Sequence, residues 1–316
     1  MGQGYRGLEL AALPEYTPPL PRAGPGANVS HEVAMILIDG KQTARDIRAE
    51  LKAQVEAAVS AGRRAPGLAV ILVGDDPASQ VYADGKKRDC AQCGIYSEEY
   101  ILPAETGQEE LMLLIETLNG RSDIDGILIQ LPLPAHLNER AVLSVVRPDK
   151  DVDCFHPFNV GELMIGEKGF YPCTPASVMR LLAEYGVELS GKSCVIVGRS
   201  NIVGKPLAML MLRENATVTI CHTKTEYLKK ECSRADILIS AAGQAGLITG
   251  DMVKEGAVVV DVAVNRRADG TLCGDVVFEE AAGRASYITP VPGGVGPLTR
   301  AMLMKNTLYA AVIHGK

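Results

Sequence analysis

Ser193-Cys194-Val195-Ile196-Val197 runs directly into Gly198-Arg199-Ser200-Asn201-Ile202-Val203-Gly204-Lys205-Pro206. A short uncharged run stopped by glycine reads as a strand buried on both faces, the kind that fills a parallel sheet. A helix through about Arg213 follows the loop. Strand, glycine-bounded loop and helix together open a doubly wound nucleotide-binding unit, whose helix N-terminus offers free N–H groups to a pyrophosphate. The spacing is G-x-S-x-x-x-G, not G-x-G-x-x-G, so an ordinary strand-to-helix turn competes with this reading. The next strand bears on which nucleotide is bound. An NAD site places Asp or Glu at its end to hold the ribose 2′-OH. Here Thr217 to Cys221 ends in His222-Thr223-Lys224, without an acid. Arg199 is placed to meet a 2′-phosphate, helped by Thr223 or Lys224. The residues therefore favour NADP. His222 falls at the adenosine end of such a site, which points to a cofactor contact or a structural role more than to a catalytic base.

Working outward, Ile237 to Ser240 and Val258 to Val262 read as further strands. A helix opens upstream with Thr174 as N-cap and Pro175 as first residue, and Gly186 stops it. The chain closes on a helix from Leu298 to about Ile313. The first half has its own β-α alternation. Ile47, Leu51, Val55 and Val59 recur every four residues, which predicts an amphipathic helix over Thr43 to Ala61. Leu68 to Val73, Glu98 to Leu102 and Gly126 to Gln130 read as strands, with helices after each, over Ser79 to Cys93, Glu109 to Leu118 and Asn138 to Val146. Leu131-Pro132-Leu133-Pro134 cannot continue a ladder. The predicted fold class is α/β, two doubly wound domains with a cleft between them. The expected organisation is a leader over 1–34, a first domain over 35–154 completed by 288–316, and a nucleotide domain over 155–287. The leader is rich in Pro and Gly, lacks periodicity and reads as flexible.

Composition excludes several functional classes. The 316 residues carry a net charge of −6, with no Trp and four Phe, which disfavours a nucleic-acid or anionic-membrane surface. No apolar run reaches transmembrane length. Eight scattered cysteines, several inside predicted strands, resemble reduced core thiols of a cytoplasmic protein, not a disulfide framework. Cys90 and Cys93 form a C-x-x-C without a second pair or a nearby His, so no metal site is expected.

Four stretches are chemically suggestive. In Ser79-Gln80-Val81-Tyr82-Ala83-Asp84-Gly85-Lys86-Lys87-Arg88, Tyr82 and Lys86 share a helix face just past a strand end. That pair suits proton transfer, and the basic neighbours push Lys86 towards neutrality. A solvated basic face is the competing reading. Gln130 ends a strand at the sheet edge where ligands bind, or caps a turn. Asp151 and Asp153 form either a carboxylate pair or a solvated acidic turn. Pro290-Val291-Pro292-Gly293-Gly294-Val295-Gly296-Pro297 is either a rigid hinge or a backbone surface that closes over a ligand.

Together these motifs resemble the bifunctional methylenetetrahydrofolate dehydrogenase/methenyltetrahydrofolate cyclohydrolase family, the FolD type. The resemblance runs from Ile36-Leu37-Ile38-Asp39-Gly40-Lys41 to the C-terminal helix. Its most specific signals are Ser79 to Tyr82 with Lys86, Gln130 to Pro134, and Pro290 to Pro297. It implies that NADP takes a hydride from 5,10-methylenetetrahydrofolate, and that water then opens the methenyl cation to 10-formyltetrahydrofolate, a one-carbon donor for purine biosynthesis. It implies Lys86 as general acid/base, Tyr82 as its companion against the substrate, Gln130 tuning Lys86, and Asp153 holding the pterin ring. Pro292, Gly293, Gly294 and Val295 would lie against folate and nicotinamide. Gly198, Arg199, Ser200, Val203, Gly204, His222 and Thr223 would contact the cofactor. A homodimer is implied too.

The chain departs from the family pattern in places. Cys154 stands where Gly is common after the pterin-binding aspartate; if that backbone has positive φ, Cys is strained there. Ala263 stands at another usual Gly, and Thr223 replaces a Ser. Gly85 weakens its helix by about 1 kcal/mol relative to Ala. Two alternatives therefore stay open: a dehydrogenase with weak cyclohydrolase activity, and a non-catalytic NADP- or folate-binding protein on the same scaffold.

Overall fold

Strand β1 (Ile36–Leu37) leads into α1 (Gly40–Ser60), followed by β2 (Gly67–Val73), α2 (Pro77–Cys93), β3 (Tyr96–Leu102), α3 (Gln108–Gly120), β4 (Gly126–Ile129) and α4 (Glu139–Leu143). Two further helices, α5 (Pro157–Ile165) and α6 (Cys173–Glu184), precede the second alternation. This comprises β5 (Ser193–Val197), α7 (Gly204–Arg213), β6 (Thr217–Cys221), α8 (Leu228–Cys232), β7 (Ile237–Ser240) and β8 (Val258–Asp261). The chain ends with β9 (Asn265–Arg266), β10 (Leu272–Cys273), α9 (Phe278–Ala282), β11 (Tyr287–Ile288) and α10 (Val295–Ile313). This computed structural model describes residues 35–74, 77–167 and 169–315, and side chains within 77–84 are outside the description. The expected leader over 1–34 lies outside the described residues.

The strands make two parallel sheets and one small ribbon. The first sheet has the order β3-β2-β4; the second has the order β1-β11-β8-β7-β5-β6. In the first, the chain leaves β2 to one side for β3 and returns to the other for β4. In the second it leaves β5 for β6 and returns for β7. Each reversal opens a crevice beyond the carboxyl ends of the strands, where open α/β sheets bind ligands. The β2 and β4 strands are apolar because helices cover both faces: Leu68, Ala69, Ile71, Ile127 and Leu128 are all buried.

One core links the two halves. It runs from Leu68 and Val70 of β2, through Leu298, Met302 and Leu303 of α10, to Cys194 and Ile196 of β5. Helix α10 packs on α1, α2 and α6. Each fully buried aliphatic side chain of this kind contributes about 1.5–3 kcal/mol, so α10 acts as a shared spine.

Several boundaries differ from the sequence expectations. Ile36 and Leu37, expected in the first domain, pair in parallel with Tyr287 and Ile288 and so extend the second sheet. Backbone pairing with a strand about 250 residues away leaves no local trace. Helix α6 begins at Cys173 with Pro172 as cap, and the hydroxyl of Thr174, the expected N-cap, instead meets Thr299 Oγ1 at 3.4 Å. Helix α4 stops at Leu143, and Pro148 opens a short 3-10 turn beyond it. Helix α1 buries Ile47, Leu51 and Val55, but Val59 in its last turn is exposed.

Candidate active site at the end of the first sheet

Lys86 and Gln130 meet because their strands are neighbours. Ile71 of β2 is registered with Ile129 of β4, and the N–H of Gln130 extends that ladder to Ile71 O at 2.9 Å. The next turn of chain after β2 is α2, which carries Lys86. Lys86 Nζ donates to Gln130 Oε1 at 2.6 Å, while Gln130 Nε2 donates to Leu131 O at 2.8 Å. That second bond fixes the amide so that its oxygen faces the lysine. Lys86 is only 9% exposed. Burial lowers its amine from the ordinary lysine value, the Asp153 carboxylate pushes it back up, and the Arg300 guanidinium pushes it down.

Asp151 and Asp153 separate into different roles. Asp151 is buried and accepts from the N–H groups of Phe155 at 3.1 Å and His156 at 2.8 Å, and from Asn159 Nδ2 at 2.8 Å. It is a structural acceptor that shapes the entry to α5, neither a solvated turn nor half of a catalytic pair. Asp153 shares a cavity of about 160 Å³ with Lys86, Gln130, Cys173, Thr299 and Arg300. Burial raises the Asp153 carboxyl, against the lowering pull of Lys86. Its loop is tied to the spine by Asn306 of α10, whose Nδ2 donates to Val152 O at 2.7 Å and Tyr171 O at 2.9 Å. Cys154 does take a positive φ of 60°. Its Sγ donates to Phe170 O at 3.2 Å, and Asp153 keeps its place beside Lys86 despite the strained neighbour.

Pro292, Gly293, Gly294 and Val295 line an adjoining cavity of about 250 Å³, together with Lys41, Asp261 and Ala263. Arg300 lines both cavities. The loop is clamped to the start of α1: Gly40 N donates to Gly293 O at 3.0 Å. A Cβ on Gly40 would stand 1.7 Å from Gly294 O, so only glycine permits this approach. Asp261 closes β8 and accepts from the N–H groups of Asp275 at 3.1 Å and Val276 at 2.8 Å. Its burial nevertheless raises its carboxyl to about 6.

The predicted cofactor loop lies at the other crevice, beyond β5. Gly198 has φ +132°, and a Cβ there would meet Ala241 O at 2.3 Å. A Cβ on Gly204 would meet Gly198 O at 2.2 Å. The two glycines let α7 start against the strand end, a cradle that fits a pyrophosphate. Ser200 Oγ accepts from Val203 N at 3.1 Å and Gly204 N at 3.4 Å, which caps that start. Arg199 and Ser200 are exposed, as are Thr223 and Lys224 beyond β6. His222 Nδ1 accepts from Lys224 N at 3.1 Å, which fixes the turn that presents Thr223. These residues line neither of the two cavities.

The comparisons with known proteins agree with this layout. Residues 38–153 match the Tetrahydrofolate dehydrogenase/cyclohydrolase, catalytic domain. Residues 172–314 match the Tetrahydrofolate dehydrogenase/cyclohydrolase, NAD(P)-binding domain. The chain belongs to the tetrahydrofolate dehydrogenase/cyclohydrolase family. It is 58% identical over 278 residues to the bifunctional protein FolD of Ruminiclostridium cellulolyticum, a match covering 88% of this chain and 98% of that protein. It is 59% identical over 280 residues to the FolD protein of Desulfovibrio desulfuricans, covering 87% and 98%. Among solved structures, the bifunctional FolD enzyme of Campylobacter jejuni superposes with TM-score 0.87 at 50% identity, covering 89% of this chain and 99% of that one. The Trypanosoma brucei FolD dehydrogenase-cyclohydrolase, solved with NADP cofactor and inhibitor, superposes with TM-score 0.86 at 41% identity, covering 89% and 99%.

Within this family frame, Tyr82 lies one turn before Lys86 on α2, with its side chain outside the described residues. Lys41, Cys173 and Arg300 also line the cavities, and no sequence motif marks them for that place. Lys41 stood in the quoted stretch Ile36 to Lys41 without a role. Arg300 carries no motif of its own; its place beside Lys86 depends on how α10 crosses α2. Among the described residues, no helix is long and apolar enough to span a membrane, and no group of three or more His, Cys, Asp or Glu could hold a metal.

Proposed function

We propose that the protein runs both reactions of its family, with Lys86 as the base of the hydrolytic step: NADP-dependent oxidation of 5,10-methylenetetrahydrofolate, then hydrolysis of the methenyl cation to 10-formyltetrahydrofolate. The observation that carries the assignment is the buried Lys86 Nζ held at 2.6 Å by an amide oxygen, in a cavity that also holds Asp153. Burial disfavours the ammonium form of Lys86, a cationic substrate beside it would disfavour that form further, and the neutral amine is the form that can accept a proton.

The hydrolysis needs two proton movements. As water adds to the amidinium carbon of the methenyl bridge, its proton passes to the neutral Lys86 amine and a neutral carbinolamine forms. The ring opens when the carbon–N5 bond breaks, N5 takes the proton from Lys86, and the hydroxyl proton leaves to solvent. One proton is released overall. Gln130 accepts from Lys86 in both charge states, which keeps Nζ aimed while its charge changes. Asp153, an acceptor-only group when ionised, suits the donor edge of the pterin's amino and amide groups. NADP, when bound, supplies the hydride acceptor. Arg199 with Thr223 would hold its 2′-phosphate, and Gly198 and Gly204 would admit its pyrophosphate. The absence of Asp or Glu over 222–225 is what favours NADP over NAD.

Purified protein given methylenetetrahydrofolate and NADP should form the methenyl species and then consume it, as followed by absorbance. Lys86→Met should slow the second phase about 100-fold or more while methenyl formation persists. A variant that hydrolyses at the parent rate would sink the role of Lys86. Equal catalytic efficiency with NAD and NADP would refute the Arg199 argument.

We also infer a homodimer in the cytoplasm. Among the described residues, strand β6 is one edge of the six-stranded sheet, and Leu212, at the end of the helix before it, is 57% exposed. An unpaired edge flanked by apolar side chains favours pairing with a second copy. All eight cysteines are unpaired and buried, as suits a reducing compartment. Light scattering should give twice the chain's 33.6 kDa, with Leu212→Glu shifting the mass towards that of one chain. A monomer at micromolar concentration would refute the dimer.

A further inference from the structure

Gly85 and Arg300 fit one another. A Cβ built on Gly85 would stand 2.0 Å from Arg300 Nη1 and 3.2 Å from its Cζ. The guanidinium thus occupies the space a side chain at position 85 would need, against the bare backbone of α2. It is also tethered: Arg300 Nε lies 3.0 Å from Asp89 Oδ2, one turn further along the same helix. Asp89 is in turn steadied by Arg48, whose Nε is 3.9 Å from its other oxygen. The notch and the ion pair, both on α2, therefore seat one cation at the wall shared by the two cavities.

The groups that face Lys86 come from every side of its cavity. Asp153 stands on the loop ahead of α5, Cys173 on α6, Cys90 on α2 itself, and Arg300 on α10. Of these, Arg300 is the one that carries a positive charge. Burial already disfavours the ammonium form, but the Asp153 carboxylate favours it. A second cation on the wall of the same cavity opposes Asp153.

We propose that Arg300 is a positioning residue that acts through Lys86: seated in the notch left by Gly85 and tethered by Asp89, it keeps a positive charge beside the amine and biases it to the neutral, proton-accepting form. The proposal rests on the reading of Lys86 as the hydrolytic base. It also gives Gly85 a purpose. The glycine costs helix propensity, yet it opens the seat for the guanidinium, and Ala in its place would push the flexible tip of Arg300 away while leaving the helix path intact.

The test compares Arg300→Met, Arg300→Lys and Gly85→Ala in the full chain with two readouts. One is the titration of Lys86 itself, followed by its 13Cε chemical shift and assigned by difference from Lys86→Arg. The other is the pH profile of methenyl hydrolysis. Losing a unit charge from the wall of the same cavity should raise the Lys86 midpoint by about one pH unit. The acidic limb of hydrolysis should follow, with a rate loss of about tenfold below the limb. Arg300→Lys should restore most of both. Gly85→Ala should shift both in the same direction, and should add nothing in the Arg300→Met background. An unmoved Lys86 midpoint in Arg300→Met and Gly85→Ala, with hydrolysis still dependent on Lys86, overturns the role of Arg300 alone. A midpoint that moves without any change in the hydrolysis profile overturns the reading of Lys86 as base, and the proposal with it.

Discussion

Two aspartates two positions apart show how burial divides labour at the residue scale. Asp151 has three donors and Asp153 faces a cavity, although both side chains leave the same acidic turn. Removing Asp151 orphans two backbone N–H groups and leaves the Asn159 amide only its bond to Pro148 O, at 2.9 Å. Asp151→Ala should therefore lower the unfolding free energy by about 2–3 kcal/mol. Asp153→Ala should leave stability within about 1 kcal/mol, or raise it, while sharply weakening folate binding. Denaturant titration alongside ligand titration separates the two, and equal stability losses would contradict the division. Cys154, directly after Asp153, sits at φ 60°. A β-branched side chain is excluded there, so Cys154→Val should cost about 1–3 kcal/mol in the same experiment. Those residues were legible only in part: spacing marked the pair, but not which carboxylate was buried by its own loop.

At the scale of elements, the cofactor crevice depends on how closely α7 approaches the end of β5. Gly198 has a φ that L side chains rarely adopt, and its missing Cβ leaves room for Ala241 O. Gly198→Ala should destabilise the chain by about 1–3 kcal/mol and weaken NADP binding more than folate binding, by calorimetry. Equal losses for both ligands would mean that the glycine serves folding alone. The β5-loop-α7 unit was readable because its signals are local: an apolar run, glycines and a helix start lie within a dozen residues. The cap expected at Thr174 fails for the opposite reason. Its hydroxyl has a partner on α10, Thr299 Oγ1, and a distant contact outcompeted the local cap.

Across the whole molecule, the far end of α10 is pinned to the first sheet through a buried carboxylate. Asp125 is fully buried and accepts from Arg64 Nη1 and Nη2, both at 2.7 Å, and from Gly67 N at 2.9 Å. His314, just past α10, lies 3.1 Å from both Asp125 Oδ1 and Asp149 Oδ2. Burial pushes the Asp125 carboxyl up, but the guanidinium, the Gly67 N–H and the imidazole outweigh it and hold it below its ordinary value. A carboxyl depressed in the folded state stabilises above its unfolded value, near pH 4, and that stability is lost as pH falls through the folded value. Asp125→Asn should cost about 3–5 kcal/mol at pH 7, with a smaller deficit at pH 3, by denaturant unfolding at both pH values. A deficit independent of pH would refute the network.

The sequence by itself determined the two β-α alternations, the two crevices and most of the residues at their edges. Periodicity, glycine loops and proline stops are short-range signals, and the strands they mark pair mostly with near neighbours in the chain. It also carried the family resemblance, because the motifs Ser79 to Lys86, Gln130 to Pro134 and Pro290 to Pro297 are contiguous. What only the tertiary structure decided were the pairings across long stretches of chain. Strand β1 joins β11, Asn306 holds the Asp153 loop, and Arg300 reaches the notch at Gly85. Each depends on where α10 or a distant strand comes to rest, which is fixed by packing one shared core, and no local pattern encodes it.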